Sequence, residues 1–244
     1  AINYDQLAPT YDQHRRGGGP YFDTLCRLAR EADARDTLEV AAGTGNETEA
    51  FLAAHPSRMV VAEPSAGMLR QLRAKRLPTP AVRADGLHLP FSVARFDFLF
   101  AAYALHYIED LTAFFRECRR VLRGGCAAFV TVPEGFIANH PMNAFFPSFA
   151  AVDLARFPRI EVVVEAMTQA GFDRVSAHTD IDRAKPVDER YVRRIESRFI
   201  STYELLPPGE WAAGLERLRA RVAQPGGSGI TIAREATTVW GWQD

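Results

Sequence analysis

The chain has 244 residues, a formal net charge of −1, 47% hydrophobic residues and 24% charged ones. That length fits one large domain of about residues 1–244, and the composition excludes a disordered chain. The near-neutral charge argues against a chain-wide attraction to nucleic acid. No apolar run is long enough to span a bilayer, so no membrane partner is expected. The three cysteines, Cys26, Cys118 and Cys126, are scattered and form no CxxC pair. Neither a disulfide scaffold nor a metal site is expected, and reduced thiols point to a cytoplasmic setting. The N-terminus lacks a signal-peptide pattern.

Residues 1–20 read as a polar arm. Phe22, Leu25, Leu28, Ala29 and Ala32 then recur at helical spacing over 21–34. Strand 37–41, helix 47–54, strand 58–62, helix 66–74 and a short strand near 80–84 follow. Next come strand 96–101, helix 111–122 and strand 126–132, with Arg123-Gly124-Gly125 read as the stop between the last two. Such alternation predicts an α/β fold, a doubly wound sheet with parallel strands joined by right-handed crossovers. Its ligands belong at the carboxyl ends of the strands.

The pattern breaks over 134–158, which holds Phe136, Phe145, Phe146, Phe149 and Phe157. It resumes with helix 159–170 and strand 172–179, breaks again over 180–225, and closes with strand 229–242. The second break carries amphipathic helices near 187–199 and 208–223. Both breaks read as insertions above the ligand-bearing edge, forming a helical lid. The phenylalanines suit an acceptor pocket wall or a lid core equally. Helix 187–199 carries Arg190, Arg193, Arg194 and Arg198, and an anionic substrate group could reach one of them.

The stretch Glu39-Val40-Ala41-Ala42-Gly43-Thr44-Gly45 carries most of the chemistry. A strand runs straight into glycines and then a helix, and Glu63 ends the next apolar run. Glycines let the backbone approach a bulky ligand, and a carboxylate one strand over accepts from two ribose hydroxyls. This arrangement predicts a nucleoside site.

Together with Ala84-Asp85-Gly86-Leu87-His88-Leu89-Pro90-Phe91, the segment Phe96 to Tyr107, Arg119 to Gly125, and the opening Tyr4-Asp5 to Tyr11-Asp12, the chain resembles the class I S-adenosylmethionine-dependent methyltransferases of the bacterial small-molecule type. The resemblance covers residues 4–133 closely and the rest loosely. It implies a Rossmann-like, seven-stranded, mainly parallel sheet with the last strand antiparallel. It also implies S-adenosyl-L-methionine as cofactor, with S-adenosyl-L-homocysteine released. The expected reaction is methyl transfer to O, N or C of a small apolar or aromatic acceptor. Oligomeric state is left open.

On this resemblance Gly43 and Gly45 flank the methionyl and ribose portions, Glu63 holds the ribose, and Asp85 accepts from the adenine amino group with Gly86 and Leu87 beside the ring. Pro64 and Met68 follow the ribose carboxylate. Glu39 faces the methionyl ammonium, Ala101 ends the fourth strand beside the cofactor, and Tyr4 and Tyr11 either close over the methionyl tail or pack the arm. Ala41 stands where the family has its first glycine, and is expected to be tolerated at negative φ. His106, Tyr107 and His14 are the catalytic candidates, with Glu134 and His140 as further ones. His106 is a candidate base near pH 7, unless it merely packs the next helix.

Two other readings stand beside this one. A noncatalytic cofactor-binding subunit would also carry the glycine loop. A nucleic-acid (tRNA-type) methyltransferase would resemble a family with Asn/Asp-Pro-Pro-aromatic after strand four, where this chain has Ala101-Ala102-Tyr103-Ala104. A dehydrogenase is disfavoured because position 48 is Thr, which leaves the Gly-x-Gly-x-x-Gly spacing incomplete.

Overall fold

The computed structural model describes residues 2–13 and 15–243. The strands are β1 (Asp36–Val40), β2 (Arg58–Ala62), β3 (Ala81–Val82), β4 (Phe96–Ala102), β5 (Leu122–Thr131), β6 (Asp173–Ile181), β7 (Lys185–Pro186), β8 (Thr231–Ile232) and β9 (Glu235–Gln243). The helices are α1 (Tyr4–Leu7), α2 (Phe22–Glu31), α3 (Asn46–Ala54), α4 (Ala66–Ala74), α5 (Leu111–Val121), α6 (Glu134–Ala138), α7 (Phe149–Leu154), α8 (Ile160–Gln169), α9 (Glu189–Glu196), α10 (Thr202–Leu205) and α11 (Pro208–Val222).

Seven strands form one sheet in the order β3-β2-β1-β4-β5-β9-β6. The pairs along β3 to β5 are parallel, while β9 lies antiparallel to both β5 and β6. The doubly wound architecture with one reversed strand is therefore present. The chain leaves β1 in opposite directions toward β2 and β4, so the crevice lies between their carboxyl ends.

Strand periodicity divides the core into two layers. In β5, Ala127 and Phe129 face one side with Phe114, Phe115 and Met167. Cys126, Ala128 and Val130 face the other with Leu25, Phe51 and Phe98. Helices start where a side-chain oxygen takes an otherwise unpaired N–H. Ser65 Oγ accepts from Met68 N at 3.1 Å to open α4, Asp110 Oδ1 from Ala113 N at 2.8 Å to open α5, and Asp188 Oδ1 from Tyr191 N at 3.0 Å to open α9.

Some boundaries differ from the sequence reading. β5 begins at Leu122, because Gly124 (φ +83°) and Gly125 (φ +99°) continue the strand in a conformation only glycine adopts readily. A Cβ on Gly125 would lie 2.0 Å from the Asp97 carbonyl oxygen, so the pair lets β4 and β5 close together. The closing strand divides: β8 pairs with β7 in a small ribbon, and only β9 joins the main sheet.

The two inserted stretches share a third core. Phe145, Phe146 and Phe149 from the first are buried with Val192, Ile195, Tyr203, Leu215 and Leu218 from the second. A Cβ on Gly214 would meet the Phe146 ring at 2.4 Å, so this core is closely packed. Among the described residues no helix is long and apolar enough to cross a membrane.

Candidate active site

The glycine loop is held by a carboxylate. Glu63 follows β2, and its Oε2 accepts from Gly43 N at 2.8 Å while Oε1 accepts from Ser65 N at 2.8 Å. Each oxygen keeps a further acceptor position. Burial pushes the Glu63 carboxyl up, and the two backbone N–H groups pull it down. A Cβ placed on Gly43 would meet nothing within 4 Å, so the loop backbone borders open space beside the fixed carboxylate. Gly45 (φ +81°) caps α3, and a Cβ there would strike Leu72 at 2.9 Å.

Ala41 departs from its expected backbone. It sits at φ +58°, in the left-handed region and not at negative φ. The loop turns sharply here, with Ala42 N donating to Ala62 O at 3.2 Å, and this forces the strained conformation. A non-glycine residue in that region costs about 1–2 kcal/mol.

Glu39 is held from within the fold. It is 2% exposed, and its Oε2 accepts from Thr48 Oγ1 at 2.6 Å. Burial pushes its carboxyl well above the usual range. It ties β1 to α3 through Thr48. Ala101 has 0% exposure and packs inside the core, whereas its neighbour Ala102 is half-buried on the opposite face. Strand alternation gives Ala102, and not Ala101, a surface at the crevice.

The adenine-side candidates lie on the turn after β3. Asp85 is exposed, and its Oδ1 accepts from Leu87 N at 3.0 Å, leaving Oδ2 facing His88 Nδ1 at 4.0 Å. Gly86 is required by packing, since a Cβ would sit 2.7 Å from the Phe114 ring. Leu87 packs at the core margin, Met68 is buried, and Pro64 is exposed with its carbonyl accepting from Arg83 Nε at 3.0 Å.

The arm crosses this edge and is fastened at several points that sequence reasoning missed. Asp5 Oδ1 accepts from Ser65 Oγ and from Gly67 N, both at 2.6 Å. A Cβ on Gly67 would lie 2.8 Å from the Asp5 Cα, so the arm rests directly on α4. Asp12 Oδ1 accepts from Thr44 Oγ1 at 2.5 Å and Asn46 Nδ2 at 2.9 Å, and its Oδ2 pairs with Lys75 at 2.9 Å. The Tyr4 hydroxyl bonds to that of Tyr107, and their rings pack edge to face at 5.4 Å. Tyr11 joins them, 6.3 Å from Tyr4, within electrostatic range of Glu63 and Tyr107. His14 lies outside the described residues.

His106 sits on the 3-10 turn Leu105–Tyr107 after β4, stacked on Phe157 at 4.1 Å. Both ring nitrogens are buried without a hydrogen-bond partner. Burial, with the charge of Arg156, lowers its pKa to about 3. The ring is therefore neutral at pH 7 and a far weaker base than an ordinary histidine. His140 is buried between Phe136 and Phe149, and its Nδ1 accepts from Met142 N at 3.2 Å. It opens the 3-10 turn Pro141–Ala144, a capping role. Glu134 is exposed at the start of α6. Tyr103 was not among the candidates, yet it follows β4 at φ +55° and packs edge to face on Tyr21 at 5.6 Å. A bulky residue held there marks strain at the crevice.

Residues 38–130 match the family model described as a methyltransferase domain. A demethylmenaquinone methyltransferase of Corynebacterium urealyticum is 41% identical over 161 residues, covering 66% of this chain and 65% of that protein. The chain carries a methyltransferase domain and is similar to the class I S-adenosylmethionine-dependent methyltransferases. A malonyl-[acyl-carrier protein] O-methyltransferase of Herminiimonas arsenicoxydans is 27% identical over 186 residues, covering 74% of this chain and 68% of that protein. The matches thus span only about two thirds of these relatives' own length. Among solved structures, a protein of Anabaena variabilis described as a methyltransferase from an antibiotic biosynthesis pathway superposes with a TM-score of 0.71 at 20% identity, covering 89% of this chain and 99% of that one. Phosphoethanolamine N-methyltransferase 2 of Haemonchus contortus, solved with S-adenosyl-L-methionine, gives 0.59 at 13% identity, covering 100% of this chain and 60% of that one. These likenesses speak for the fold.

The site fits the family's cofactor. The free acceptor positions on Glu63 suit two ribose hydroxyls, and the open side of Gly43 gives the nucleoside its approach. Among the described residues no cluster of His, Cys, Asp or Glu could hold a metal ion.

Proposed function

We propose that this chain transfers a methyl group from S-adenosyl-L-methionine to a small acceptor held beneath the lid, with O, N or C as the receiving atom. The observation that carries the reading is the Glu63 carboxylate, fixed by Gly43 N and Ser65 N beside open backbone. When bound, the cofactor supplies a methyl carbon activated by its positive sulfur. The protein's part is then alignment and exclusion of water. Tyr4, Tyr11 and Tyr107 close one side of the crevice, and desolvation raises the Tyr4 and Tyr11 pKa values, so both phenols stay neutral.

His106 acts here as a neutral hydrogen-bonding group toward the acceptor. Its two unpaired nitrogens can accept from one polar group and donate to another, and its stack on Phe157 fits an apolar or aromatic acceptor. The relatives named for demethylmenaquinone and for malonyl-[acyl-carrier protein] support a small or carrier-linked acceptor. Residues 134–158 and 180–225 act together as the lid over this acceptor. The three cysteines are free and buried, which fits a reducing cytoplasmic setting.

Incubation with S-adenosylmethionine labelled in its methyl group and a panel of phenols, quinols, amines and carboxylic acids tests the reading. Label should enter one acceptor class, with S-adenosylhomocysteine released in equal amount. Failure of the protein to bind S-adenosylhomocysteine in a direct titration would remove the proposal.

A further inference from the structure

The lid carries four arginines on and just after α9, and the structure separates them. Arg193 reaches Glu189 at 3.8 Å and Arg198 pairs with Glu204 at 3.1 Å. Arg190 is exposed. Arg194 is different: it is half-buried, lies 4.1 Å from the centre of the Phe199 ring and 5.9 Å from that of Tyr191, and has no carboxylate partner among the described residues. A second arginine without such a partner meets the same residue from the far end of the sequence. Arg15, in the arm, donates from Nε to the Phe199 carbonyl oxygen at 2.5 Å and stacks over Tyr11 at 3.7 Å.

The neighbourhood adds positive charge. Arg234 acts on Arg194 as a like charge, and its own guanidinium is satisfied by Asp182 at 2.7 Å. Burial and that like charge both lower the Arg194 pKa. Holding two guanidiniums at one residue, partly out of water and without an anion, is unfavourable unless a ligand supplies the charge. Arginine's planar fork suits a carboxylate or phosphate. The location is apt, because Tyr11 lies in electrostatic range of both Glu63 and Tyr107.

We propose that Arg15 and Arg194 form an oxyanion site around Phe199, at the seam of arm and lid, which holds a carboxylate or phosphate carried by the acceptor. This rests on the methyl-transfer reading and narrows its acceptor to an anionic one. The site recruits arm and lid to the same ligand, so the acceptor's charge draws the two covers together.

The test titrates the full chain, loaded with S-adenosylhomocysteine, with malonate, with inorganic phosphate and with dimethyl malonate as a neutral control. One of the two anions should bind saturably at one equivalent, and the ester should not. Malonate binding assigns a carboxylate acceptor, and phosphate binding assigns a phosphate ester. Arg194→Gln and Arg15→Gln should each weaken the anion at least about tenfold, as loss of a charge-assisted hydrogen bond does. Arg194→Lys should recover part of the loss. Arg116→Gln, on the exposed side of α5, should change nothing. Arg194→Gln should keep S-adenosylhomocysteine affinity within about twofold, which separates a lost anion site from a misfolded chain. Absence of saturable binding by either anion, or equal binding by Arg194→Gln, overturns the site. Failure to bind S-adenosylhomocysteine at all removes the methyl-transfer reading instead.

Discussion

The two halves of the crevice are built on opposite plans. On the β1–β2 side, polar groups already have protein partners: Glu63 is held by two backbone N–H groups, Glu39 by Thr48, and Asp12 by Thr44, Asn46 and Lys75. On the β4–lid side, His106 leaves both nitrogens unpaired, Thr131 at the end of β5 leaves a buried hydroxyl unpaired, and Arg194 has no carboxylate partner among the described residues. A buried polar atom without a partner costs about 1–3 kcal/mol. The first half is preorganised for a ligand of fixed shape. The second keeps bonding capacity in reserve for a ligand that brings its own polar groups.

If the halves are independent, damage to one should spare the other. Phe146→Ala empties the centre of the lid core and should lower unfolding free energy by about 3–5 kcal/mol. Methyl transfer should fall with it, while S-adenosylhomocysteine affinity measured by titration changes little. A parallel loss of nucleoside binding would show that the halves form one unit. Glu63→Ala should do the reverse, raising the S-adenosylhomocysteine dissociation constant about tenfold or more, for a loss of about 1.5–3 kcal/mol. An unchanged constant would refute the ribose assignment.

Acid should act on the acceptor half through its buried histidine. The folded pKa of His106, about 3, lies below its unfolded value, so protonation favours the unfolded chain. Its contribution is fully present above about pH 6.5 and is lost as pH falls toward 3, at up to about 1.4 kcal/mol per pH unit. Denaturant titrations at pH 7 and 5 should show this slope reduced in His106→Phe. The raised carboxyls Glu39 and Glu63 oppose it, because protonation favours their buried forms. An identical slope in the variant would exclude His106 as the source. The smallest effect belongs to the glycine loop. Ala41→Gly should relieve the left-handed strain and stabilise the fold by about 1 kcal/mol, read as a raised melting temperature.

What could be read from sequence follows the range of the interactions. The strand-to-glycine turn and Glu63 are local, so spacing alone located them. Ala41 carried a signal as well: an alanine in a glycine's place invites the question of backbone sign, and its positive φ arises from the turn itself. Ala101 and Ala102 differ only in strand parity, which a one-residue error inverts. The fastening of the arm was illegible because Arg15 and Phe199 are 184 positions apart, and Asp5 and Gly67 are 62 apart. The lid arginines were neutralised by near neighbours, Arg193 by Glu189 four positions away and Arg198 by Glu204 six away, so local spacing already carried that signal. His106 was legible as a position but not as a base, since its pKa is set by Phe157 and Arg156 arriving from the lid.

Gly67 leaves the arm no clearance from α4, and Asp12 ties it to the loop beneath. If that strap must peel away before a spent nucleoside departs, exit, and not bond making, should pace the cycle. Rapid mixing would register this as a first turnover faster than those that follow, and Gly67→Ala, by prying the strap loose, should erase the difference.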